Sequence, residues 1–454
     1  MRPHSFTNPT PLRKRSLDHA HDAESRPMRR RGSVLIIVLW VVFGLVSIAL
    51  YFAHSMSFAL RAADNRVAGM ESEEAIAGAM RYVSNVLVNS QSPNSLPDTN
   101  TYGYVAVPVG AANFWLIGRG DGQDGPTTPH FGLVDEASKL NLNTATTNML
   151  LALPRMSLEL AANIISWRNG ASSNSSGGAE SDTYMRLNPA YLCKNAPFET
   201  VDELRLVSGA YLDILYGEDV NLNGILDSNE NDGDASPPTD DQNGRLDPGI
   251  LEYVTVYSHE PATMTNGTAR VVVTNATQLA ALTRGAGVTV PPGQTYSSVL
   301  DFYFQSRLSA DDFAKIEDQI RNPNVDGLVN VNTASATVLA CLLSGVGADT
   351  NYASSLVSYR QSQTGPLTSM GWVKNVLDAP TVRLVGRYLS GKTYQFTADI
   401  AAVGHFGRGY RRVKYIFDTS EGAPKVLYRQ DLTHMGWALG RDVRNTLFLA
   451  KATL

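Results

Sequence analysis

The strongest hydrophobic pattern in the chain is an apolar run, SVLIIVLWVVFGLVSIALYFA, which extends from Ser33 to Ala53 without a charged residue. At a rise of about 1.5 Å per residue it forms a helix of roughly 32 Å, long enough for a bilayer core of about 30 Å. Apolar residues then recur with a helical period at five later positions: Ile76, Ala79, Met80, Val83 and Leu87. The pattern predicts one long helix over residues 33–90, transmembrane at 33–53 and amphipathic after that.

Eight short runs are rich in β-branched and aromatic residues, which favour strands. Three lie before the middle of the chain, two lie within it and three lie after it. They occupy residues 102–109, 113–118, 131–134, 253–258, 269–275, 394–400, 411–417 and 425–430. The first three and the last three predict an antiparallel sheet that packs on the amphipathic half of the helix. The predicted fold class is therefore α+β, with a helical insertion between the two halves of the sheet.

The middle of the chain contains an internal repeat. Leu140–Ala145 (LNLNTA) matches Val329–Ala334 (VNVNTA). In each copy an apolar segment follows and ends at an arginine, Arg168 in the first and Arg360 in the second. The pattern predicts two helical modules that resemble SAM-like or helix-hairpin-helix bundles, with the Asn-Thr pair capping the first helix of each. A stretch at 170–196, rich in Ser, Asn and Gly at its start, is predicted to be a flexible insertion in the first copy.

Composition narrows the function classes. The chain has 454 residues, 43% hydrophobic and 18% charged, which is typical of a folded protein of several domains and not of a disordered or coiled-coil one. Two cysteines exclude a disulfide scaffold, and eight histidines without an HExxH motif argue against a histidine-built metalloenzyme. The sequence has neither a phosphate-binding P-loop nor a G-x-S-x-G elbow. We therefore expect no enzyme and no catalytic residue.

The charge distribution indicates a membrane topology. Residues 1–32 carry eight basic and three acidic side chains, and since the whole chain has a net charge of −5, residues 33–454 sum to −10. Because basic residues stay on the cytoplasmic side of a membrane, the bulk of the chain is expected outside the cytoplasm. A cleaved signal peptide and a plain one-pass anchor are the alternatives, although the apolar region of a signal peptide is usually ~7–15 residues long.

The most specific local motif is the first loop, Asp219–Glu230 (DVNLNGILDSNE), which matches D-x-N-x-N-G-x-x-D-x-x-E. Calcium takes about 6–8 oxygen ligands, and this spacing supplies them in turn along the loop. The expected ligands are the side chains of Asp219, Asn221, Asn223 and Asp227, the backbone carbonyl of Ile225 and the bidentate carboxylate of Glu230. The alternative is an Asn- and Asp-rich surface turn.

A looser set of oxygen-bearing residues follows in the second loop, at Asp241, Asn243 and Asp247. This loop lacks a glutamate at the usual closing position, so the number of ions stays open. The acidic side chains from Asp227 to Asp241, with Asp247 just beyond, repel one another without a cation, and calcium is therefore the expected cofactor. Extracellular modules bind calcium in roughly the millimolar range, which suits the predicted compartment.

Residues 29–33 resemble a type IV prepilin leader, because three arginines precede Gly32 and the apolar helix begins at once with Ser33. In that family the prepilin peptidase cleaves after the glycine. The resemblance therefore implies that Gly32 and Ser33 are the processing residues and that Ser33 becomes the mature N-terminus. The family's usual glutamate at the fifth mature position is replaced by Ile37, which fits a subunit at a fibre tip, since such a subunit has no neighbour above it.

Together these features resemble the minor pseudopilin protein K family of bacterial type II secretion systems. The likeness rests on the Gly32 leader, Ile37, the segments 135–143, 201–204 and 330–334, and the first loop. It implies a pilin-like helix and sheet with an inserted helical domain. It also implies a tip subunit that supports pseudopilus assembly and protein secretion, with minor pseudopilins of the I and J types as partners.

The same resemblance gives the expected location, which is the bacterial inner membrane, crossed once, with a cytoplasmic N-terminus and a periplasmic bulk. The predicted domains are the leader at 1–32, the pilin helix at 33–90, the first part of the pilin-like sheet at 91–134, a first SAM-like module at 135–258 with the calcium-type loop at 219–247, connecting strands and a helix at 259–327, a second SAM-like module at 328–390, and C-terminal strands closing the sheet at 391–454. Residues 418–454 have no assigned role in this scheme.

One alternative function stays open, a membrane-anchored extracytoplasmic DNA-binding protein of the competence type. Helix-hairpin-helix units hold phosphates with a Gly-hydrophobic-Gly turn, and the second module contains Gly345-Val346-Gly347. Nucleic acid is not the expected partner, because the chain after the leader is acidic. A disulfide between Cys193 and Cys341 also stays open, since Cys341 equally suits a buried free thiol.

Overall fold

The computed structural model describes residues 33–90, 94–120, 127–169, 177–291, 293–363, 365 and 367–452. The chain divides into two compact units between residues 63 and 64. The predicted leader, including Gly32, lies outside the described residues.

The N-terminal helix α1 spans Ser33–Val88 and is 56 residues long. Its side chains from 34 to 53 are exposed, and the helix is long and apolar enough to cross a membrane. The prediction of one long helix is confirmed to within two residues at its C-terminal end.

Short helices make up most of the regular structure in the insertion between the two halves of the sheet. They are α2 (Thr147–Leu151), α3 (Leu158–Asn169), α4 (Ser181–Tyr184), α5 (Leu212–Tyr216), α6 (Ala276–Gly285), α7 (Val299–Ser306), α8 (Ala310–Glu317), α9 (Ala336–Gly345), α10 (Asn351–Gln361) and α11 (Ala379–Val385). A last helix, α12, spans Gly440–Ala452 near the C-terminus.

Six strands form the main sheet, which is antiparallel throughout and has the order β1-β2-β10-β11-β12, with β3 paired to part of β10. These strands are β1 (Val107–Val109), β2 (Ala112–Ile117), β3 (Val134–Asp135), β10 (Gln395–Val403), β11 (Arg411–Asp418) and β12 (Lys425–Asp431). The central pairing joins β2 to β10, with Leu116 opposite Ile400, so the sheet is completed only after the chain has built the whole insertion.

Three parallel two-stranded pairs lie within the insertion. They are β4 (Leu140–Asn141) with β5 (Val254–Thr255), β6 (Val271–Val272) with β7 (Ile320–Arg321), and β8 (Val329–Asn330) with β9 (Leu389–Ser390). The runs predicted as strands at 253–258 and 269–275 therefore shrink to two residues each. Each run pairs with a partner strand of only two residues, and this short partner limits the length of the strand.

The amphipathic half of α1 packs on one face of the main sheet. Buried Ile76, Ala79 and Val83 of the helix share a core with Phe114 and Ile400 of the sheet. Because side chains alternate along a strand, the neighbouring residues of β2 face the other way. The predicted packing of the sheet on this half of the helix is confirmed.

The opposite face of the sheet is covered by the C-terminal region, which the sequence left without a role. Trp115 and Ile117 of β2 form a small core with Ala438 and Leu439, and Leu447 of α12 packs against it. The prediction that residues 391–454 are strands is therefore incomplete, because the segment ends in a helix. This region removes the apolar side chains on the second face of β2 from water, and their burial stabilises its packing there.

The two predicted modules share one hydrophobic core. Helices α2 and α9 lie side by side, and a Cβ atom added to Gly345 at the end of α9 would lie 2.2 Å from Cγ of Met149 on α2. Gly345 is thus explained by this close approach between the modules. The glycine turn that suggested phosphate binding is packed against protein on this side.

The repeat is a true structural equivalence. Arg168 donates to the carbonyls of Leu142 and Ala145, and Arg360 donates to the equivalent carbonyls of Val331 and Ala334. The Asn-Thr pairs are not helix caps, which corrects the sequence prediction. The N-caps are Thr146 and Ser335. The side chains of Asn141 and Asn330 each accept a hydrogen bond from the backbone N–H two residues later.

Both cysteines are free and buried. The disulfide alternative is therefore not realised, and Cys341 is fully enclosed in the helical core. Burial raises the pKa of the Cys341 thiol to about 12, so it stays protonated and behaves as a small apolar side chain.

Candidate metal centre

The first loop lies between α5 and a short 3-10 helix, Ile250–Glu252, that leads into β5. Within it, both carboxylate oxygens of Asp219 accept backbone hydrogen bonds of 2.9 Å, one from the N–H of Asn223 and one from the N–H of Gly224. Asp219 is only 1% exposed. Gly224 has a φ of +71°, which permits the turn that brings these N–H groups to the carboxylate.

Two asparagine side chains face the middle of this loop. The amide nitrogens of Asn221 and Asn223 donate to the same oxygen of Asp227, at 2.9 and 3.0 Å. Their amide oxygens accept from the backbone N–H groups of Asn223 and Ile225. The two amides and Asp227 are thus joined in one hydrogen-bonded group.

Glu230 closes the loop by joining its two ends. One carboxylate oxygen accepts from the N–H of Asp227 at 3.0 Å, and the other accepts from the N–H of Val220 at 3.2 Å. Its side chain is buried at 1% exposure. Burial, together with repulsion from Asp219 and Asp227, raises the pKa of Glu230 to about 8.

The loop therefore fits a divalent cation. Glu230 is buried beside two more carboxylates, and its pKa is near 8. A bound cation would offset the cost of burying these negative charges and the repulsion between them. The donor set is oxygen only, which is the set that calcium takes. Asp219, Asp227 and Glu230 are not gathered as closely as a bound ion would hold them, since the asparagine amides lie between them. The side chains predicted for the first loop are joined to one another or to its backbone by hydrogen bonds.

A second group of carboxylates contains a residue that the sequence analysis missed. Among the described residues, Glu218, Asp241 and Asp247 bring one oxygen each within 4.8 Å of one another. Glu218 is buried, and burial with the charges of Asp247 and Asp241 raises its pKa. This residue takes the place of the closing glutamate that the second loop lacks.

Backbone hydrogen bonds fix the second group. The N–H of Asp247 donates to the Glu218 carboxylate at 3.0 Å, and the N–H of Glu218 donates to the Asp247 carbonyl at 3.0 Å. Asn243 donates from its side chain to Asp241 at 2.8 Å and to Asp247 at 3.4 Å. All three residues predicted for the second loop thus lie together, and the position of Glu218 directly before Asp219 was the signal that could have found it.

Two arginines contact the first loop from outside and were also missed. Arg119 and Arg412 donate to the carbonyl of Leu222, at 2.9 and 2.6 Å. The charge of Arg119 lowers the pKa of Asp219, although burial raises it more. Nothing in the sequence near either arginine points to the loop, because Arg119 and Arg412 lie at opposite ends of the insertion.

A family comparison identifies the region around this site. Residues 134–215, from β3 into α5, match the family model described as type II secretion system protein K, first domain. This segment is therefore similar to the first domain of protein K of the type II secretion system. The match begins at the strand that joins the insertion to the main sheet and stops just before the first loop.

The chain also has a similar solved structure. The chain is similar to a chain of the crystal structure of the GspK–GspI–GspJ complex from the enterotoxigenic Escherichia coli type 2 secretion system, with 12% sequence identity and a TM-score of 0.40. The similarity covers 79% of this chain and 94% of that chain. The comparison with curated proteins gives no match.

Proposed function

We propose that this minor pseudopilin of type II secretion works at the tip of the pseudopilus, where it supports pseudopilus assembly and protein secretion. The observation that carries the proposal is the protein K domain at residues 134–215. Ile37, at the position where the leader family usually has a glutamate, supports a tip location. Minor pseudopilins of the I and J types are the proposed partners, as the family resemblance implies.

The proposed location is the bacterial inner membrane. α1 begins at Ser33 and is apolar from there to Ala53, and the basic residues that precede it favour a cytoplasmic N-terminus and a periplasmic bulk. Prepilin peptidase would remove residues 1–32 by cutting between Gly32 and Ser33. The main sheet on the amphipathic half of α1 is then the pilin-like part of the protein, and the two modules of the repeat are its SAM-like insertion.

We further propose that calcium binds at the first loop, with a second ion at Glu218, Asp241 and Asp247. The support is the set of buried carboxylates and amides described above, which fits an oxygen-seeking cation. Calcium would have a structural part, in which it holds the two ends of the loop together. A bound ion would neutralise Glu230 and its neighbours, and the loop would then hold its shape at neutral pH.

The test is a deletion of the gene in its source bacterium, with plasmid-borne copies for complementation. Without the protein, exported proteins should accumulate in the periplasm and fall at least tenfold in the medium, while wild-type protein restores export. Natural transformation should be unchanged. Normal export by the deletion strain would contradict the proposal, and a loss of DNA uptake alone would favour the competence alternative.

A further inference from the structure

Two arginines of the main-sheet region hold the backbone of the first loop from outside. Arg412 donates to the carbonyls of Asn221 and Leu222, and Arg119 donates to the carbonyl of Leu222. The Leu222 carbonyl therefore receives two guanidinium groups, one from each half of the sheet. Carbonyls that point outwards to these groups leave the side chains on the other side of the backbone free to face the middle of the loop.

Arg412 is rigidly placed. It lies on β11, is 0% exposed, and its guanidinium makes a two-pronged pair with Asp399 on the neighbouring strand β10, at 2.9 and 2.6 Å. Such a planar, paired guanidinium has a fixed direction for its remaining N–H groups. Those groups meet the loop carbonyls, so the position of the loop is set by the strand register.

Arg119 joins three parts of the protein. It follows directly after β2, and its Nε donates to both oxygens of Glu252 at 2.8 Å, while its terminal nitrogens reach the carbonyls of Leu222 and Gly118. Glu252 belongs to the short helix before β5. One side chain thus connects the sheet, the end of the insertion's first module and the first loop.

The loop backbone at this point needs support. Leu222 has a φ of +54°, a left-handed conformation that is unfavourable for a leucine, and it is held where both arginines bind its carbonyl. A Cβ atom added to Gly224 would lie 3.3 Å from Cδ of Arg119. The loop and the arginines are therefore fitted to each other closely.

We infer that Arg119 and Arg412 are positioning residues for cation binding, which fix the loop on the main sheet and make an ion in the loop stabilise the joint between the sheet and the insertion. The inference rests on the calcium site proposed above. It gives the ion an effect beyond its own ligands. Occupancy of the loop restrains the backbone of residues 221 and 222, and through Arg412 this restrains strand β11.

The experiment uses the full chain in detergent and two measurements, calorimetric titration with calcium chloride and hydrogen exchange with calcium or with chelator. In the wild type, calcium should slow exchange both in the loop and in the amides of Arg411–Asp418. Arg119→Lys keeps the charge but loses the fork, so calcium should bind about tenfold more weakly. Arg412→Lys weakens the direct link between the loop and β11, so calcium should no longer slow exchange in that strand. Arg284→Lys, at an exposed position on α6, is the matched control and should behave as the wild type.

The outcomes separate this inference from the calcium proposal. If the wild-type chain binds no calcium, both fail together. If it binds calcium but protection is confined to residues 219–230, or if Arg119→Lys binds calcium as tightly as the wild type does, the positioning role is overturned while the calcium site stands. Arg412→Lys also disturbs the buried pair with Asp399. Arg119 is partly exposed, and Arg119→Lys leaves that pair intact.

Discussion

Arg360 donates a hydrogen bond of 2.8 Å to the carbonyl oxygen of Ala334, and in the other copy of the repeat Arg168 makes the same 2.8 Å bond to Ala145. Each arginine closes the turn that follows a two-residue parallel strand. This is why the arginine recurs in both copies of the repeat. Because Arg360 is 8% exposed, the carbonyls it serves have little access to water.

Replacement of Arg360 by methionine should therefore destabilise the protein. The variant keeps an apolar stem but leaves the carbonyls of Val331 and Ala334 without this donor, which should cost roughly 2–3 kcal/mol in the free energy of unfolding. Chemical denaturation of the full chain in detergent measures it. Arg284→Met, at an exposed position on α6, is the control, and equal losses for the two variants would show that the buried bonds contribute nothing.

Calcium should raise the melting temperature of the full chain in detergent. An ion that binds only the folded state, at ~100 times its Kd, adds about 2.7 kcal/mol of stability. Glu230→Gln should remove most of this gain, since a buried ligand and a negative charge are lost together. Glu159→Gln makes the same chemical change at an exposed position and should keep the full calcium effect. Identical melting curves in calcium and in chelator would show that the loop is an ordinary turn.

The calcium effect should also depend on pH. The pKa of Glu230 is raised to about 8 in the folded chain without an ion, against about 4.3 for an unfolded glutamate. A raised pKa gives stability that is present below pH ~4.3 and is lost as the pH rises to about 8. A bound cation removes this loss, so the stabilisation by calcium should grow between pH 5 and 8 and then level off.

Melting curves at five pH values, each with calcium and with chelator, test this dependence. The buried carboxyl of Asp135, whose pKa burial raises to about 6, titrates in both series and cancels in the difference between them. In Glu230→Gln the difference should be small and flatter with pH. A calcium effect of constant size from pH 5 to 9 in the wild type would contradict proton release by Glu230.

Processing should leave Ser33 as the N-terminal residue of the membrane-extracted protein. The motive is the step from three arginines through Gly32 into the apolar helix. Intact-mass measurement decides it, and Gly32→Leu should block cleavage and leave the full chain. Gly44→Ala, within the apolar segment and with open space around its Cα, is the matched control. A mature chain that starts at Met1 or beyond Ala53 would refute the pilin-type leader.

Local patterns made part of this protein predictable. The 21-residue apolar run, the amphipathic spacing after it and the D-x-N-x-N-G loop each depend on residues close together in sequence, and each appears where expected. The two copies of the repeat were also visible, because each arginine serves carbonyls less than thirty residues away. In these cases the partners that a residue needs lie within its own segment.

The sequence by itself thus determined the long helix, the α+β class, the first loop and the repeat. Only the tertiary structure decided that β2 pairs with β10 across the whole insertion, that α12 covers the second face of the sheet, and that Glu218 joins Asp241 and Asp247. It also decided that Arg119 and Arg412 hold Leu222. The physical reason is the same in each case: strand partners, buried faces and convergent side chains are selected by what the folded chain brings together, and spacing along the sequence carries no record of that.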